Sequence, residues 1–234
     1  MNLFKYSLSA VVGVVVLASS WAWANEAAQN AAAPQHWKPS SLRVALTAMP
    51  TGDVVRGKAL NTQLMCASCH GENGIAPTRN WPHTAGQKAD YTYKMLLDYQ
   101  SGLRSEDERS KLMLAAVEPM SDQDMADVAA YYASLSAHEV AAKAEPHAEV
   151  EKLVRRGDPA RLITPCASCH GVRGQGGKAA APALAGQSEK AFIRTMTLYK
   201  SGERNNDVNK AMGQFAAKLT AEEIQQLAAY YHMR

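Results

Sequence analysis

A chain of 234 residues, 47% apolar and 20% charged, has the balance of a soluble globular protein, with room for one large domain or two small ones. Its formal net charge of +3 is too weak to point to nucleic acid. A half-length domain of about 90 residues would have a small core and would lean on a cofactor, metal or disulfide.

In chain order, residues 1–24 combine Lys5, an apolar run from Leu8 and the small residues Ala22 and Ala24 ahead of Asn25. That is the pattern of an export signal cleaved after Ala24. The same stretch is almost long enough to span a bilayer, so an uncleaved anchor is the competing reading. Export places the mature protein in a bacterial periplasm. Residues 25–49 contain Ala and Pro, match nothing downstream and read as an N-terminal extension, ordered or frayed.

Helical periodicity then takes over. "TGDVVRGKALNTQLM" (51–65) opens on capping residues and leads into "CASCHG" at 66–71. "KADYTYKMLLDYQSG" (88–102) spaces apolar residues three and four apart and stops at glycine. "SDQDMADVAAYYASL" (121–135) starts with Ser121 three residues ahead of Asp124, close to a capping box. No segment alternates like a strand, so the fold class is all-α, with three or so helices per unit.

The units are two, because most of this recurs. "CASCHG" returns at 166–171, "AGQ" at 85–87 returns at 185–187, and "LDYQSGLR" (97–104) answers "TLYKSGER" (197–204). "MLAAVEPMSDQDMADVAAYY" (113–132) aligns without a gap on "MGQFAAKLTAEEIQQLAAYY" (212–231). The expected organisation is a first domain over 50–136, a linker over 137–149 and a second domain over 150–234. The halves differ in charge. Residues 53–145 hold 9 Lys and Arg against 13 Asp and Glu, a balance of −4; residues 146–234 hold 13 against 8, a balance of +5. A dipolar molecule of this kind orients towards charged partners, although drift in solvated surface charge would leave the same numbers.

Cys66, Cys69, Cys166 and Cys169 are the only cysteines. A disulfide within either pair would close a tiny loop and add little stability. Four zinc thiolates would want the pairs about 15–20 residues apart rather than a hundred. A dithiol redox site needs no following histidine. Covalent haem uses every element: thiols three apart on a helical turn share a face and can add to two porphyrin vinyl groups. The next residue, His70 or His170, is then carried beneath the iron. Two motifs in register imply two covalently bound haem c groups, each supplying the apolar core its small domain lacks.

From about residue 52 to 234 the sequence resembles tandem class I c-type cytochrome domains, and most closely the dihaem cytochrome c4 family. The resemblance is carried by "CASCHG", the "AGQ" loop and the final "AAYY" helix of each half. It implies two His/Met haems in domains related by a pseudo-twofold axis, and periplasmic or membrane-associated electron transfer. Among ten methionines, Met113 and Met212 are the only pair aligned between the gapless segments, 43 and 42 residues after His70 and His170. The family expects the sixth ligand there, just ahead of the last helix. Met120 aligns with Leu219 and reads as packing. Pro77 and Pro182 resemble family prolines that pack near the proximal histidine. "WPHTAGQ" departs from the family where Thr84 replaces the apolar residue that Leu184 supplies in the second half.

Other residues are weighed against ordinary structural roles. His83 reads as a solvent-facing loop residue, with approach to a haem edge as the alternative. His36, His138, His147 and His232 receive no role. Arg104 and Arg204 are candidates for haem propionates at the domain interface, or ordinary surface arginines. Tyr131, Tyr132, Tyr230 and Tyr231 read as helix core.

The favoured function is a one-electron carrier between a respiratory donor complex and a terminal oxidase or reductase, not an enzyme. The alternative is an electron-transfer subunit docked on a catalytic partner such as a flavoprotein dehydrogenase. A dihaem peroxidase or sulfur-oxidising enzyme ranks third, since it would need an open iron or a further cysteine ligand. Partners are other redox proteins, with membrane association through a partner or a retained N-terminus.

Overall fold

The computed structural model describes residues 36–140 and 148–234. The signal segment, residues 25–35 of the extension, and residues 141–147 of the linker with His147 lie outside the described residues. Among the described residues there is no strand, only an isolated bridge between Asp158 and Ile163, and no helix is long and apolar enough to cross a membrane.

The first half holds α2 (Val54–Gln63), α3 (Cys66–His70), α4 (Ala89–Gln100), α5 (Glu108–Val117) and α6 (Asp122–Ser134), preceded by α1 (Pro39–Ala48). The second holds α7 (Ala148–Arg156), α8 (Ala167–His170), α9 (Glu189–Ser201), α10 (Ala211–Ala216) and α11 (Ala221–His232), with 3-10 turns at Pro159–Arg161 and Val208–Lys210. Among the described residues each half thus has five helices, more than the three or so read from periodicity. The additions are the short motif helix and the helix ahead of the last one, whose half-buried stripes are too short to register.

The start signals work as caps. Asp53 accepts from the backbone N–H of Val55 (2.8 Å) and Arg56 (3.0 Å). Ser121 with Asp124, and Thr220 with Glu223, close complete capping boxes, which satisfy donors that a helix N-terminus leaves orphaned. α2 crosses α6 at backbone contact: a Cβ on Gly57 would fall 2.0 Å from the carbonyl oxygen of Asp127. Arg56, paired with Asp124 and Asp127, clamps the same crossing. The second half departs here. Gly157 (φ +71) ends α7, and the 3-10 turn at Pro159 follows, because proline cannot donate to a continuing helix.

Two hydrophobic cores result. One joins Tyr93, Leu96, Met125, Val128, Tyr131 and Tyr132 of α4 and α6; the other joins Val154, Phe192, Met196, Ile224, Leu227 and Tyr231 of α7, α9 and α11. All four tyrosines of the two "AAYY" sequences are buried, as helix core should be. Met120 and Leu219 occupy equivalent buried positions in the two cores.

Candidate functional site

The two hexapeptides fold alike. Gly71 and Gly171 both take φ 80° and ψ 154°, left-handed φ that an L-side chain resists. A Cβ on Gly71 would meet the carbonyl of Ile75 at 2.1 Å, which accounts for the sixth letter of the motif. No disulfide joins any of the four cysteines. Burial pushes the Cys66 and Cys166 thiols up from their ordinary value.

His70 and His170 are buried. The Nδ1 of His70 lies 3.0 Å from the carbonyl oxygen of Pro82, and that of His170 lies 2.9 Å from that of Pro182. Burial, first, holds both imidazoles below their usual pKa and so in the neutral form that binds a metal. With Nδ1–H donated to a carbonyl, Nε2 is the nitrogen free for a metal, and the ring plane is set. The proline matching Pro182 is therefore Pro82, not the Pro77 singled out from sequence. Thr84 in place of Leu184 leaves the backbone unchanged: the N–H of each donates to a glycine carbonyl, Gly74 (2.8 Å) or Gly174 (2.7 Å).

Met113 lies in α5 and Met212 in α10, each half-buried against the core of its own half. Asp107 caps α5 through Ser110 N–H (2.9 Å), and Asp207 accepts from Met212 N–H (2.6 Å). Matching aspartates thus anchor the segments that carry the two methionines.

Arg104 and Arg204 are not surface arginines; they are only 5% and 3% exposed. Arg104 stacks on Tyr99 (4.4 Å) and pairs with Glu106 (2.7 Å). Arg204 stacks on Tyr199 (4.5 Å), and its polar contacts are Asn206 Oδ1 (2.9 Å), Tyr91 Oη (3.4 Å) and Met95 Sδ (3.4 Å). Arg104 reaches the same sulfur at 3.7 Å. Lys94 and Asp98 form a buried pair alongside (2.6 Å). Three buried cations face two carboxylates, an imbalance that is costly without a further anion. A porphyrin propionate is such an anion, so the residues present fit haem on both the thiol and the carboxylate side.

His83 is half-buried rather than fully solvent-facing. Its Nδ1 accepts from Ala76 N–H (3.0 Å), its ring stands 4.6 Å from that of His138, and burial together with that neighbour pushes its pKa down to about 4. His36, also left without a role, brings Nδ1 to 3.1 Å from the carbonyl oxygen of Asn205. The extension it belongs to is seated on both halves: Trp37 donates to Asp98 in α4 (2.5 Å), and Asn209 of the second half donates to the Trp37 carbonyl (3.2 Å).

The family model for cytochrome c matches residues 54–136 and again 160–232. Cytochrome c4 from Pseudomonas aeruginosa is 35% identical over 181 residues, 76% of this chain and 87% of that one. A thiosulfate dehydrogenase electron acceptor from Stutzerimonas stutzeri is 31% identical over 207 residues, 84% of this chain and 94% of that one. The crystal structure of reduced recombinant cytochrome c4 from Pseudomonas stutzeri superposes with a TM-score of 0.70 at 31% identity, covering 78% of this chain and 98% of that one. With two tandem cytochrome c domains, two covalent haem c groups and an electron-transfer rather than enzymatic role, the chain belongs to the cytochrome c4 family of dihaem cytochromes.

Proposed function

We propose that Cys66 and Cys69 in the first domain, and Cys166 and Cys169 in the second, form the thioether links. His70 with Met113 and His170 with Met212 would hold the two irons, and the domains run over 50–136 and 150–234. The observation that carries this reading is the duplicated geometry of two buried imidazoles, each held through Nδ1 by a proline carbonyl. When bound, haem iron supplies one-electron chemistry by cycling between ferric and ferrous. The chain's part is to fix both axial positions, exclude water and neutralise propionates with Arg104 and Arg204. A thioether opposite histidine raises the potential and closes the iron to substrate, which suits a carrier.

The protein is proposed to act in the periplasm after cleavage behind Ala24, taking electrons singly from one redox protein and passing them to another. The respiratory donor and terminal acceptor remain the first assignment. The relative described as a thiosulfate dehydrogenase electron acceptor supports a second, in which this chain docks on a sulfur-oxidising partner.

The test is a haem count by intact mass together with the weak red-end absorption band of methionine-ligated ferric haem. Two haems per chain and a full-sized band indifferent to cyanide are expected. Met113→Ala and Met212→Ala should each halve the band. A full band surviving either substitution overturns the ligand assignment.

A further inference from the structure

The "AGQ" loops do something the haem motifs do not explain. Gly86 N–H donates to the carbonyl of Tyr132 (2.9 Å) and Gly186 N–H to that of Tyr231 (2.8 Å), so each loop hangs from the last helix of its own half. The glutamine that follows reaches across to the other half. Gln187 accepts from His83 N–H through Oε1 (3.0 Å) and donates through Nε2 to the His83 carbonyl (2.6 Å). Gln87 makes the same pair with Ala183: it accepts from Ala183 N–H (2.8 Å) and donates to the Ala183 carbonyl (3.0 Å).

The position of these bonds matters. His83 N–H and the Pro82 carbonyl are the two ends of one peptide unit, and the Pro82 carbonyl oxygen is 3.0 Å from Nδ1 of His70. Ala183 N–H and the Pro182 carbonyl are likewise one unit, at 2.9 Å from His170. Each glutamine therefore accepts a hydrogen bond from the far end of the peptide that holds the histidine of the opposite half. Accepting at the N–H polarises the carbonyl, and hydrogen bonds in such a chain strengthen one another. A stronger bond from imidazole Nδ1–H makes the ring a more basic ligand, and a more basic ligand favours ferric iron.

We propose that Gln87 and Gln187 are crossed positioning residues: Gln187 tunes the haem of the first domain through His70, and Gln87 tunes that of the second through His170. The proposal rests on His70 and His170 being iron ligands. It gives the interface a function beyond adhesion, since each iron's potential depends on the other domain being seated. Separation of the halves, or a shift in their packing, would raise both potentials together.

The test uses the full dihaem protein. Redox titration is followed by NMR on the hyperfine-shifted resonances of each haem, with the histidine rings labelled. In the wild type, both His70 and His170 should show hyperfine-shifted ring signals; if either does not, the ligand assignment fails and the proposal with it. Gln187→Leu should then raise the potential of the first-domain haem by a roughly threefold change in its ferric-to-ferrous equilibrium, about 28 mV at ~59 mV per tenfold for one electron. The second-domain haem should hold its value, and Gln87→Leu should give the mirror result. Gln187→Glu keeps the oxygen acceptor and should leave the first-domain potential at or below the wild-type value. Where the leucine variants fail to load haem, Gln187→Asn and Gln87→Asn, which withdraw the amide by one methylene, are read in the same way. Equal shifts at both haems, a shift confined to the mutated domain, or no shift overturns the proposal.

Discussion

The indole Nε1 of Trp37 lies 2.5 Å from Oδ1 of Asp98, a carboxylate with no exposed surface. The same side chain receives Lys94 Nζ (2.6 Å) and Asn206 Nδ2 (2.5 Å). One aspartate on α4 therefore joins the N-terminal extension, its own helix and the second domain. Asp98→Ala would leave Lys94 buried without its counter-ion, at an expected cost of about 3–5 kcal/mol. Trp37→Phe keeps an aromatic face for Lys94, which stands 5.4 Å over the Trp37 ring, and loses mainly a hydrogen bond to a charged group, about 1.5–3 kcal/mol. Chemical denaturation of both variants of the oxidised holoprotein checks the order. A Trp37→Phe loss as large as that of Asp98→Ala would mean that the extension, not the ion pair, holds the seam.

Met113, the proposed ligand, and Met120, a core residue, stand seven residues apart. Met120 is buried in the first core, where Leu219 fills the equivalent place in the second. Met120→Ala should cost about 2–5 kcal/mol with the methionine-to-iron band intact. Met113 is only half-buried, so Met113→Ala should cost less through packing yet remove the first-domain share of the band. Visible spectra alongside denaturation curves decide it; loss of the band in the Met120 variant would exchange the two roles.

What the sequence made legible was local or periodic. Asp53, Ser121 and Thr220 each stand where a helix begins, since a cap is specified by residues within three positions of it. "CASCHG" was readable because attachment chemistry fixes its spacing. The partners of these motifs were not. The sequence pairs Pro77 with Pro182 and puts His83 in solvent, because Pro82 meets His70 only when the loop folds back, and His83 meets Gln187 from 104 positions away in the chain. Arg104 and Arg204 are left open in the sequence between propionate partners at the domain interface and surface arginines, because their burial depends on contacts from both halves. The repeat itself could have pointed to the glutamine clamp: "AGQ" is kept in both halves without belonging to any haem motif.

Glycines 186 and 102 share a left-handed backbone, φ +69 and +74, but not their surroundings. A Cβ on Gly186 would fall 1.9 Å from the carbonyl oxygen of His138, while one on Gly102 meets nothing within 4 Å. Gly102→Ala should therefore cost only the left-handed conformation, about 1–2 kcal/mol. Gly186→Ala must also displace backbone where the chain leaving the first domain passes the second, so its melting temperature should fall clearly further. Equal melting temperatures would show that residue 138 can move aside freely.

Glu223 sets a pH-dependent contribution in the second domain. Arg161 grips it as a fork, Nη2 to Oε1 at 2.7 Å and Nη1 to Oε2 at 3.0 Å, while its carboxylate also accepts Thr220 N–H (2.8 Å). The Arg161 hydrogen bond, first, and then the Thr220 N–H hold its carboxyl below the usual glutamate range. A pKa lower in the folded state means that stability is present above the unfolded value, about 4.3, and is lost as pH falls through the folded one. Glu223→Gln keeps an oxygen for Thr220 N–H, removes the charge and turns an amide NH2, which cannot accept, towards Arg161 Nη2. The variant should be less stable than wild type at pH 7 by about 0.5–1 kcal/mol, as for a partly exposed pair. The gap should narrow as pH falls below the unfolded value of about 4.3 and close once pH has fallen through the folded one. Denaturant midpoints across that range test it: a gap that stays constant would assign the loss to amide packing rather than to the charge that Arg161 holds.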